Sequence, residues 1–254
     1  MPEEVRLEMG NSTCNPSALN EMKVKSINER SGSEKYIDCP ICRNKGYTAV
    51  IENGSLIMRE CECMAQRRTM KRIIESGLKD LVESNTFDKY ATPQKWHSIA
   101  KKTAMDFVVN GSGKWFTISG APGTGKTHLC VAIASELMKA NKEVRYLLWR
   151  EEAPRLKSLV NEREAYERRI EQIKRVDVLY IDDFLKGNVT AADINLAFEI
   201  LNARYNSKRT VTIISTERTI EDILGIDEAI GSRIYERSKG YYIKTPAENW
   251  RLTH

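Results

Sequence analysis

The stretch of sequence that most restricts the fold of this 254-residue chain is GAPGTGKT, at positions 120–127. It has the spacing G-x-x-x-x-G-K-T and lies between a short apolar run, 115–119, and a segment in which Leu129, Ile133 and Leu137 recur four residues apart. That recurrence is typical of one face of a helix, so the stretch is predicted to be a loop between a strand and a helix. In such a loop the backbone N–H groups point inward at the start of the helix and bind phosphate oxygens.

The residue types in this loop predict a nucleotide site that takes ATP or ADP. The glycines permit backbone angles and close approaches that a side chain would block. Lys126 would supply a positive charge to the β- and γ-phosphates, and the Thr127 hydroxyl would be a ligand of Mg²⁺. The candidate nucleotide-binding residues in and beside the loop are Gly120, Ala121, Pro122, Gly123, Thr124, Gly125, Lys126, Thr127 and His128.

A second apolar run, 178–181, ends in two acidic residues, Asp182 and Asp183. An apolar strand that ends in acids downstream of a phosphate-binding loop is typical of a Walker B strand. Asp182 would hold Mg²⁺, and Asp183 would polarise the water that attacks the γ-phosphate. Related ATPases mostly have Glu at the second position, and Asp is one methylene shorter, so we expect slow hydrolysis. The alternative is that the two acids cap the helix predicted to begin at residue 191.

Helical and strand-like patterns alternate from residue 95 onward, which predicts an α/β domain with a parallel sheet covered by helices on both faces. A charged segment, 150–175, has apolar residues at helical spacing and is interpreted as a helix with a solvated face. About a dozen residues follow Tyr242, too few for a separate helical lid. The five strands are predicted at 115–119, 144–148, 178–181, 211–215 and 241–243.

Four cysteines form two close pairs, Cys39-x₂-Cys42 and Cys61-x-Cys63, with 18 residues between them. Four thiolates are typical ligands of a closed, tetrahedral, structural zinc site. Between the pairs, apolar and polar residues alternate around Asn53-Gly54, which indicates a β-hairpin. A segment this short cannot bury enough apolar area to fold unaided, so a bound metal is physically expected. A disulfide or redox pair is the alternative.

Three regions are expected along the chain. Residues 1–35 are polar and are predicted to be a flexible arm with one short possible helix. Residues 36–83 would form the zinc module and a basic helix, and residues 84–254 the ATPase domain, with the boundary in the turn-rich segment 84–93. The net charge of +5 permits nucleic-acid binding without demanding it. Long apolar runs and a signal peptide are both lacking, so the cytoplasm is the expected location, with no membrane partner.

The motifs resemble, in their order, those of bacterial helicase loaders of the DnaC/DnaI type, a branch of the AAA+ ATPases. The resemblance extends over residues 84–251, and it includes TFDKY at 86–90, the loop at 120–127 and the acidic strand end. The cysteine block, 39–63, resembles the N-terminal module of DnaI-like and phage-encoded members. Both blocks in this order are more specific than the phosphate-binding loop alone.

The resemblance implies further site residues. Arg237, in the segment 231–237, is similar to the loader arginine that reaches the γ-phosphate of a neighbouring subunit, and Arg233 is the alternative. An arginine supplied in this way stabilises charge on the phosphates; the alternative is a solvated pair on a short helix. Arg251 resembles a C-terminal arginine that senses nucleotide in its own subunit. Arg204 and Tyr205 are candidate DNA-facing residues on the same ground.

One departure from the family lies at the end of the fourth strand, Ser215-Thr216-Glu217, where many members have Asn against the γ-phosphate. Phosphates repel a carboxylate unless it is protonated or turned away. Either Thr216 or Ser215 takes the sensing role, or sensing is weakened. Separately, Trp149 could stack on single-stranded DNA, although core packing is the favoured interpretation for it.

Three functions follow from these observations. The first is an ATP-dependent loader of a ring-shaped, DnaB-type replicative helicase onto single-stranded DNA, with the N-terminal module binding the helicase and subunits assembling through the surface of Arg237. Its hydrolysis of ATP would be stimulated by DNA and assembly. The second is an IstB-type transposase-helper ATPase, although such helpers usually lack the cysteine module. The third is a non-catalytic zinc adaptor with a regulatory ATP site, which Asp183 and Glu217 keep open.

Overall fold

The computed structural model describes residues 16–75 and 79–246 of the chain. The described residues form two compact units, one that ends at Arg67 and one that begins at Arg68. The first unit contains the four clustered cysteines, and the second contains the phosphate-binding loop. Among the described helices, none combines the length and apolar character needed to cross a bilayer.

A two-stranded hairpin is the centre of the first unit. β1 (Tyr47–Glu52) pairs antiparallel with β2 (Ser55–Glu60). Asn53 and Gly54 connect the strands, with φ angles of +50° and +77°. Both angles lie in the left-handed region that a type I′ turn requires at its two central positions, and Asn and Gly adopt it most readily. The predicted hairpin is confirmed.

A helix precedes this hairpin and packs on it. α1 (Pro16–Glu29) lies against β1, where Asn28 Nδ2 donates to the Ala49 carbonyl at 2.9 Å and Asn28 Oδ1 accepts from the Ala49 N–H at 2.8 Å. Lys45 Nζ donates to the Asn28 carbonyl at 3.1 Å. These bonds fix the end of the helix to the hairpin. The short helix expected within residues 1–35 is thus present and extends over Pro16–Glu29, while the flexibility of the arm stays a prediction.

The second unit contains a five-stranded sheet. Its strands are β3 (Trp115–Ser119), β4 (Val144–Leu148), β5 (Val178–Asp182), β6 (Val211–Thr216) and β7 (Tyr242–Lys244). They lie in the order β4-β5-β6-β3-β7, and every neighbouring pair is parallel. The predicted five-stranded parallel sheet is confirmed. The remaining helices of the described chain are α2 (Cys63–Glu75), α3 (Lys79–Ser84), α4 (Lys95–Asn110), α5 (Lys126–Lys139), α6 (Trp149–Ser158), α7 (Arg163–Arg175), α8 (Ala191–Asn206), α9 (Ile220–Ile226) and α10 (Glu228–Arg237).

Side chains of the strands alternate between the two faces of the sheet. In β5, Val178 and Tyr180 pack with α4 and α5 on one side, and Leu179 and Ile181 pack with α6 to α10 on the other. All four side chains are buried, as expected of a strand that is covered on both faces. Because β5, β6 and β3 are neighbours and parallel, the loops after them meet at one edge of the sheet.

The charged segment predicted at 150–175 forms α6 and α7 with a short break between them. Ile170 and Ile173 are buried in the core, whereas Arg163 and Glu167 form an ion pair at 2.8 Å on the exposed side. The interpretation as a helix with a solvated face is confirmed. Trp149, at the start of α6, is buried against a phenylalanine ring, in agreement with the core interpretation.

The division between the units falls earlier in the chain than the boundary expected after residue 83. Val82 of α3 is buried in the core of the second unit, together with Phe87 and Tyr90. These apolar side chains assign α3 to the second unit, because their burial there removes them from water. No helix lies between β7 and residue 246, where the described part of the chain stops.

Candidate nucleotide and metal sites

The phosphate-binding loop, residues 120–127, leaves the end of β3 and opens α5. Gly120, Gly123 and Gly125 have φ angles of +136°, +79° and +77°. These angles are costly for any residue that carries a Cβ. The loop therefore has the strand–loop–helix setting that the sequence predicts.

Thr245, the residue after β7, supports this loop from behind. Its N–H donates to the Ser119 carbonyl at 2.8 Å, and its hydroxyl bonds to the Thr124 hydroxyl at 3.1 Å. A Cβ added at Gly120 would collide with the Thr245 hydroxyl. Glycine is therefore required at position 120 for two reasons: the close contact with Thr245 and the positive φ angle.

The ammonium group of Lys126 is held against the loop. Its Nζ donates to the carbonyls of Gly120 and Ala121 at 2.8 and 2.7 Å. Burial lowers the pKa of Lys126, while the nearby carboxylates of Glu217 and Asp183 act in the opposite direction. A buried cation at the start of a helix is a suitable partner for phosphate oxygens.

Asp182, at the end of β5, receives three side-chain hydrogen bonds. The Thr127 hydroxyl donates to Asp182 Oδ1 at 3.3 Å, the Tyr146 hydroxyl donates to Oδ2 at 3.0 Å, and the Ser215 hydroxyl donates to Oδ1. The fold thus brings together the two residues predicted to hold magnesium. Their hydroxyl and carboxylate oxygens are ligands of the kind that Mg²⁺ prefers, so the donor set fits the ion. Tyr146 was not predicted as part of this site.

Asp183 carries an ion pair that the sequence did not predict. Lys186 Nζ lies 3.2 Å from Asp183 Oδ2 and 2.7 Å from Glu217 Oε1. The hydrogen bond to Glu217 raises the pKa of Lys186. Asp183 itself has a φ of +53°, which is uncommon for a residue with a side chain.

The alternative role for the two acids, capping of α8, is not what the structure has. The N-cap of α8 is Thr190, whose hydroxyl accepts from the Asp193 N–H, while the Asp193 carboxylate accepts from the Thr190 N–H. This is a complete capping box. Asp182 and Asp183 therefore do not cap α8, and they lie at the edge of the sheet beside the phosphate-binding loop.

The two hydroxyls proposed for γ-phosphate sensing both make internal bonds. Thr216 is fully buried, and its hydroxyl donates to the Phe184 carbonyl at 2.8 Å. The Ser215 hydroxyl bonds to Asp182. These bonds tie the end of β6 to the end of β5, and a sensing role for Thr216 stays a prediction.

A cavity of about 190 Å³ adjoins the loop and is lined in part by Tyr90, His97, Gly125 and His128. The Tyr90 ring meets His128 edge-on at 5.1 Å, and a Cβ at Gly125 would lie 3.1 Å from Tyr90. His128 Nε2 bonds to the Thr86 carbonyl at 2.8 Å. The cavity is smaller than the about 300–1,000 Å³ typical of pockets for drug-sized ligands. Tyr90 and His97, which line it, were not among the predicted site residues, although Tyr90 ends the TFDKY segment.

Both candidate trans-acting arginines lie on α10 beside one aromatic ring. Arg237 Nη2 donates to the Ser207 carbonyl at 2.8 Å, and its guanidinium lies 5.8 Å from the centre of the Tyr205 ring. Arg233 lies 5.4 Å from the same ring. Ser207 precedes β6, so Arg237 is at the edge of the sheet opposite to the phosphate-binding loop. Its role toward a neighbouring subunit stays a prediction, and Arg251 lies outside the described residues.

Arg204 faces the core, which corrects its assignment as a DNA-facing residue. Its side chain is fully buried, and it donates to Thr212 Oγ1 at 2.9 Å and to the carbonyls of Val176 and Val211 at 2.9 and 2.6 Å. Burial lowers the pKa of Arg204. A basic residue near a helix end suggests an exposed position, and nothing in the local sequence signals this burial.

The four cysteines of the first unit converge on one point. Their Sγ atoms all lie within 4.8 Å of one another, with 3.8 Å between Cys39 and Cys61 and 3.6 Å between Cys42 and Cys63. A tetrahedral zinc ion with Zn–S distances of about 2.3 Å requires S···S separations of about 3.8 Å. The observed spacing matches that requirement, so the four residues fit a structural zinc ion. All four are buried, and none is in a disulfide.

The surroundings of the cysteines shift their pKa values in opposite directions. Arg67 Nε donates to Cys63 Sγ at 3.4 Å, and the same guanidinium donates to Asn44 Oδ1 at 2.7 Å. Burial acts to raise the pKa of Cys42, but hydrogen bonds from the Gly46 backbone and the other cysteines lower it to about 6. Burial raises the pKa of Cys63 to about 12 against the opposing bond from Arg67. A cation beside a buried sulfur is an outer-shell contact of the kind that tunes metal sites.

Comparison with known proteins gives consistent results. Residues 36–240 match the family described as IstB-like ATP binding protein. The phage-like element PBSX protein XkdC of Bacillus subtilis (strain 168) is 31% identical over 238 residues, which are 88% of this chain and 88% of the relative. The replicative helicase loader DnaC of Escherichia coli (strain K12) is 26% identical over 189 residues, 73% of this chain and 74% of the relative.

Solved structures agree with the sequence relatives. The crystal structure of the DnaC helicase loader aligns with a TM-score of 0.57 and 25% identity, over 65% of this chain and 98% of that chain. The crystal structure of DnaI aligns with a TM-score of 0.54 and 21% identity, over 67% and 92% of the two chains, which is a likeness of fold. On the family match and these relatives, the chain belongs to the IstB/DnaC-like family of AAA+ ATP-binding proteins.

Proposed function

We propose that the chain is an ATP-dependent loader that delivers a ring-shaped replicative helicase of the DnaB type onto single-stranded DNA when replication begins. The observation that carries the proposal is the similarity to DnaC, named a replicative helicase loader, over 73% of this chain. The chain would act in the cytoplasm, as part of the replication machinery. The separate cysteine unit is in keeping with a protein that has a second partner besides DNA.

The nucleotide would bind at residues 120–127, with Lys126 on its β- and γ-phosphates. Thr127 and Asp182 would hold a magnesium ion, which screens the negative charge of the phosphates. Asp183 would orient the attacking water and accept its proton. Hydrolysis is expected to be slow, because the short Asp183 side chain is paired with Lys186 at 3.2 Å.

The cysteine unit would carry one structural zinc ion and dock on the helicase. Zinc coordination supplies folding free energy to a small unit that buries little apolar surface. Subunits would assemble through the surface that contains Arg237, and a neighbour's Arg237 would then stabilise charge on the γ-phosphate. DNA and assembly would each stimulate hydrolysis.

Loading can be tested on a closed circle of single-stranded DNA, which a helicase ring cannot enter over an end. The full chain, a DnaB-type replicative helicase, ATP and Mg²⁺ are mixed, and helicase on the circle is separated from free helicase by gel filtration. We expect the chain to increase the bound helicase several-fold and Lys126→Ala to remove the increase. A chain that binds the helicase and ATP yet never increases loading would refute the proposal.

A second candidate function is that of a transposase-helper ATPase, which the description of the matching family as IstB-like favours. Such a helper would bind and bend duplex DNA rather than engage a helicase. If the chain binds a bent duplex and does not associate with the helicase, the transposase-helper function is favoured. A chain that binds ATP without turnover, with or without single-stranded DNA, would instead be an adaptor.

A further inference from the structure

Lys186 lies between two carboxylates at the edge of the sheet where the strands end. Its Nζ is 2.7 Å from Glu217 Oε1 and 3.3 and 3.2 Å from Asp183 Oδ1 and Oδ2. The exposed fractions of the Lys186, Glu217 and Asp183 side chains are 28%, 28% and 30%. One ammonium therefore pairs with two carboxylates that come from the ends of different strands, at a place partly shielded from water.

The backbone that carries Lys186 is fixed to the end of β6. The Phe184 N–H donates to the Ser215 carbonyl at 2.9 Å, and Arg218 Nε donates to the Leu185 carbonyl at 2.6 Å. Phe184 and Leu185 are also fully buried. These contacts hold the turn that follows β5, so the fold sets the position from which the lysine reaches its partners.

This bridge and Lys126 act on each other electrostatically. The charges of Glu217 and Asp183 act to raise the pKa of Lys126, and the charge of Lys186 acts to lower it. The carboxylates of Asp182, Asp183 and Glu217 thus share one region with two ammonium groups. A γ-phosphate would add negative charge to a region where carboxylates already outnumber cations, so each cation matters to whether it can bind.

We propose that Lys186 is a positioning residue that neutralises Glu217 and thereby makes the nucleotide site prefer a nucleoside triphosphate to a diphosphate. The inference rests on the proposed binding of ATP at residues 120–127. The Lys186 ammonium makes the Glu217 carboxylate compatible with a terminal phosphate. Removal of the ammonium leaves Glu217 to repel the γ-phosphate, whereas a diphosphate has no group at that position.

The test measures affinity by calorimetry, for ADP and for AMPPCP, an ATP analogue with a methylene between the β- and γ-phosphorus atoms. The full chain is used with Mg²⁺. In Lys186→Met we expect the affinity for AMPPCP to fall roughly fivefold to tenfold, the order expected for one partly shielded charge interaction. The affinity for ADP should change less than about twofold. Lys186→Arg keeps the charge and should keep most of the preference.

A double variant and a matched control make the test specific. Glu217→Gln in the Lys186→Met background removes the carboxylate left unpaired, so the affinity for AMPPCP should return toward that of the native chain. Lys174 is a similar lysine away from the loop, 2.7 Å from Glu199 and 3.6 Å from Glu171. Lys174→Met should change neither affinity.

Several results would overturn the inference. Equal losses for both nucleotides in Lys186→Met, with no recovery on adding Glu217→Gln, would mean that Lys186 only supports the fold. If Lys186→Met fails to fold, as judged by circular dichroism, Glu217→Gln alone decides: a weakened preference for AMPPCP contradicts the inference, and an equal or stronger preference supports it. A native chain that binds neither nucleotide would refute the proposed function itself, and the inference with it.

Discussion

The Thr127 hydroxyl donates to the Asp182 carboxylate at 3.3 Å, across 55 residues of sequence. Thr127 lies in the first turn of α5 and Asp182 ends β5, so the contact joins the phosphate-binding loop to the acidic strand end. The contact therefore brings together the two residues that are predicted to share a magnesium ion.

Lys126→Ala is expected to weaken nucleotide binding about tenfold to a hundredfold, since a hydrogen bond to a charged group contributes about 1.5–3 kcal/mol. Calorimetry with ADP and AMPPCP measures the loss. Circular dichroism should be unchanged, because the Gly120 and Ala121 carbonyls that now accept from Lys126 border a solvent-accessible loop. Native affinity in this variant would mean that the nucleotide binds elsewhere.

Asp183→Ala is expected to bind ATP but to hydrolyse it about a hundredfold more slowly or worse, because it removes the base while it leaves the ground-state contacts. Phosphate release at saturating ATP measures the rate.

Arg237→Ala should also bind ATP and lose hydrolysis, by about a thousandfold in assembled protein. Its guanidinium is at the edge of the sheet opposite to its own loop.

Mixing these two variants tests whether the arginine acts between subunits. In a mixed assembly an intact Asp183 site meets an intact Arg237 of a neighbour, so part of the activity should return. If no activity returns in the mixture although both variants bind ATP and assemble, Arg237 is misassigned. Arg233, which lies over the same Tyr205 ring, is then the next candidate, and Arg233→Ala should be mixed in its place.

The purified chain is expected to carry one zinc ion, bound by Cys39, Cys42, Cys61 and Cys63. Mass spectrometric metal analysis should find one equivalent in the native chain and none in the Cys61→Ser/Cys63→Ser variant. Cys130→Ser is the matched control, since this cysteine is buried in α5 of the other unit, and it should retain the ion. Full occupancy in the double variant would mean that other residues hold the metal.

Arg204→Met is expected to lower the free energy of unfolding of the second unit by about 3–5 kcal/mol, because several buried carbonyls lose a donor at about 1–3 kcal/mol each. Urea unfolding followed by tryptophan fluorescence measures the change, since Trp115 and Trp149 are buried in this unit. The control is Arg175→Met, whose side chain is 82% exposed beside Glu171. It should cost less than about 1 kcal/mol. Similar costs for both variants would contradict the structural role of Arg204.

The sheet and the two nucleotide motifs could be predicted because their signals are local. The apolar run 178–181 ends in acids, and the strand predicted there is present with one more residue, as Val178–Asp182. The cysteine spacing and Asn53-Gly54 likewise specify the cysteine cluster and the hairpin within a short stretch. Each of these features depends on residues that are close in sequence.

The features that were missed depend on contacts between distant segments. Lys186 pairs with Glu217 because two strand ends meet, and no spacing in the sequence signals that meeting. Arg204 is a basic residue buried in the core, and the carbonyls that accept from it, those of Val176 and Val211, are 28 and 7 residues away in the sequence. The end of α1 is fixed by Asn28, whose partner Ala49 is 21 residues away.

The hydroxyl contact between Thr124 and Thr245 spans 121 residues of the chain. A ribosome adds about 5–20 residues per second, so the phosphate-binding loop exists for about 6–24 s before the residue that supports it has been made. During that interval β7 is also missing from the edge of the sheet beside β3. Nucleotide in the cell therefore meets a finished site only late in synthesis, and variants that slow translation between these two threonines prolong the time in which the loop lacks its support.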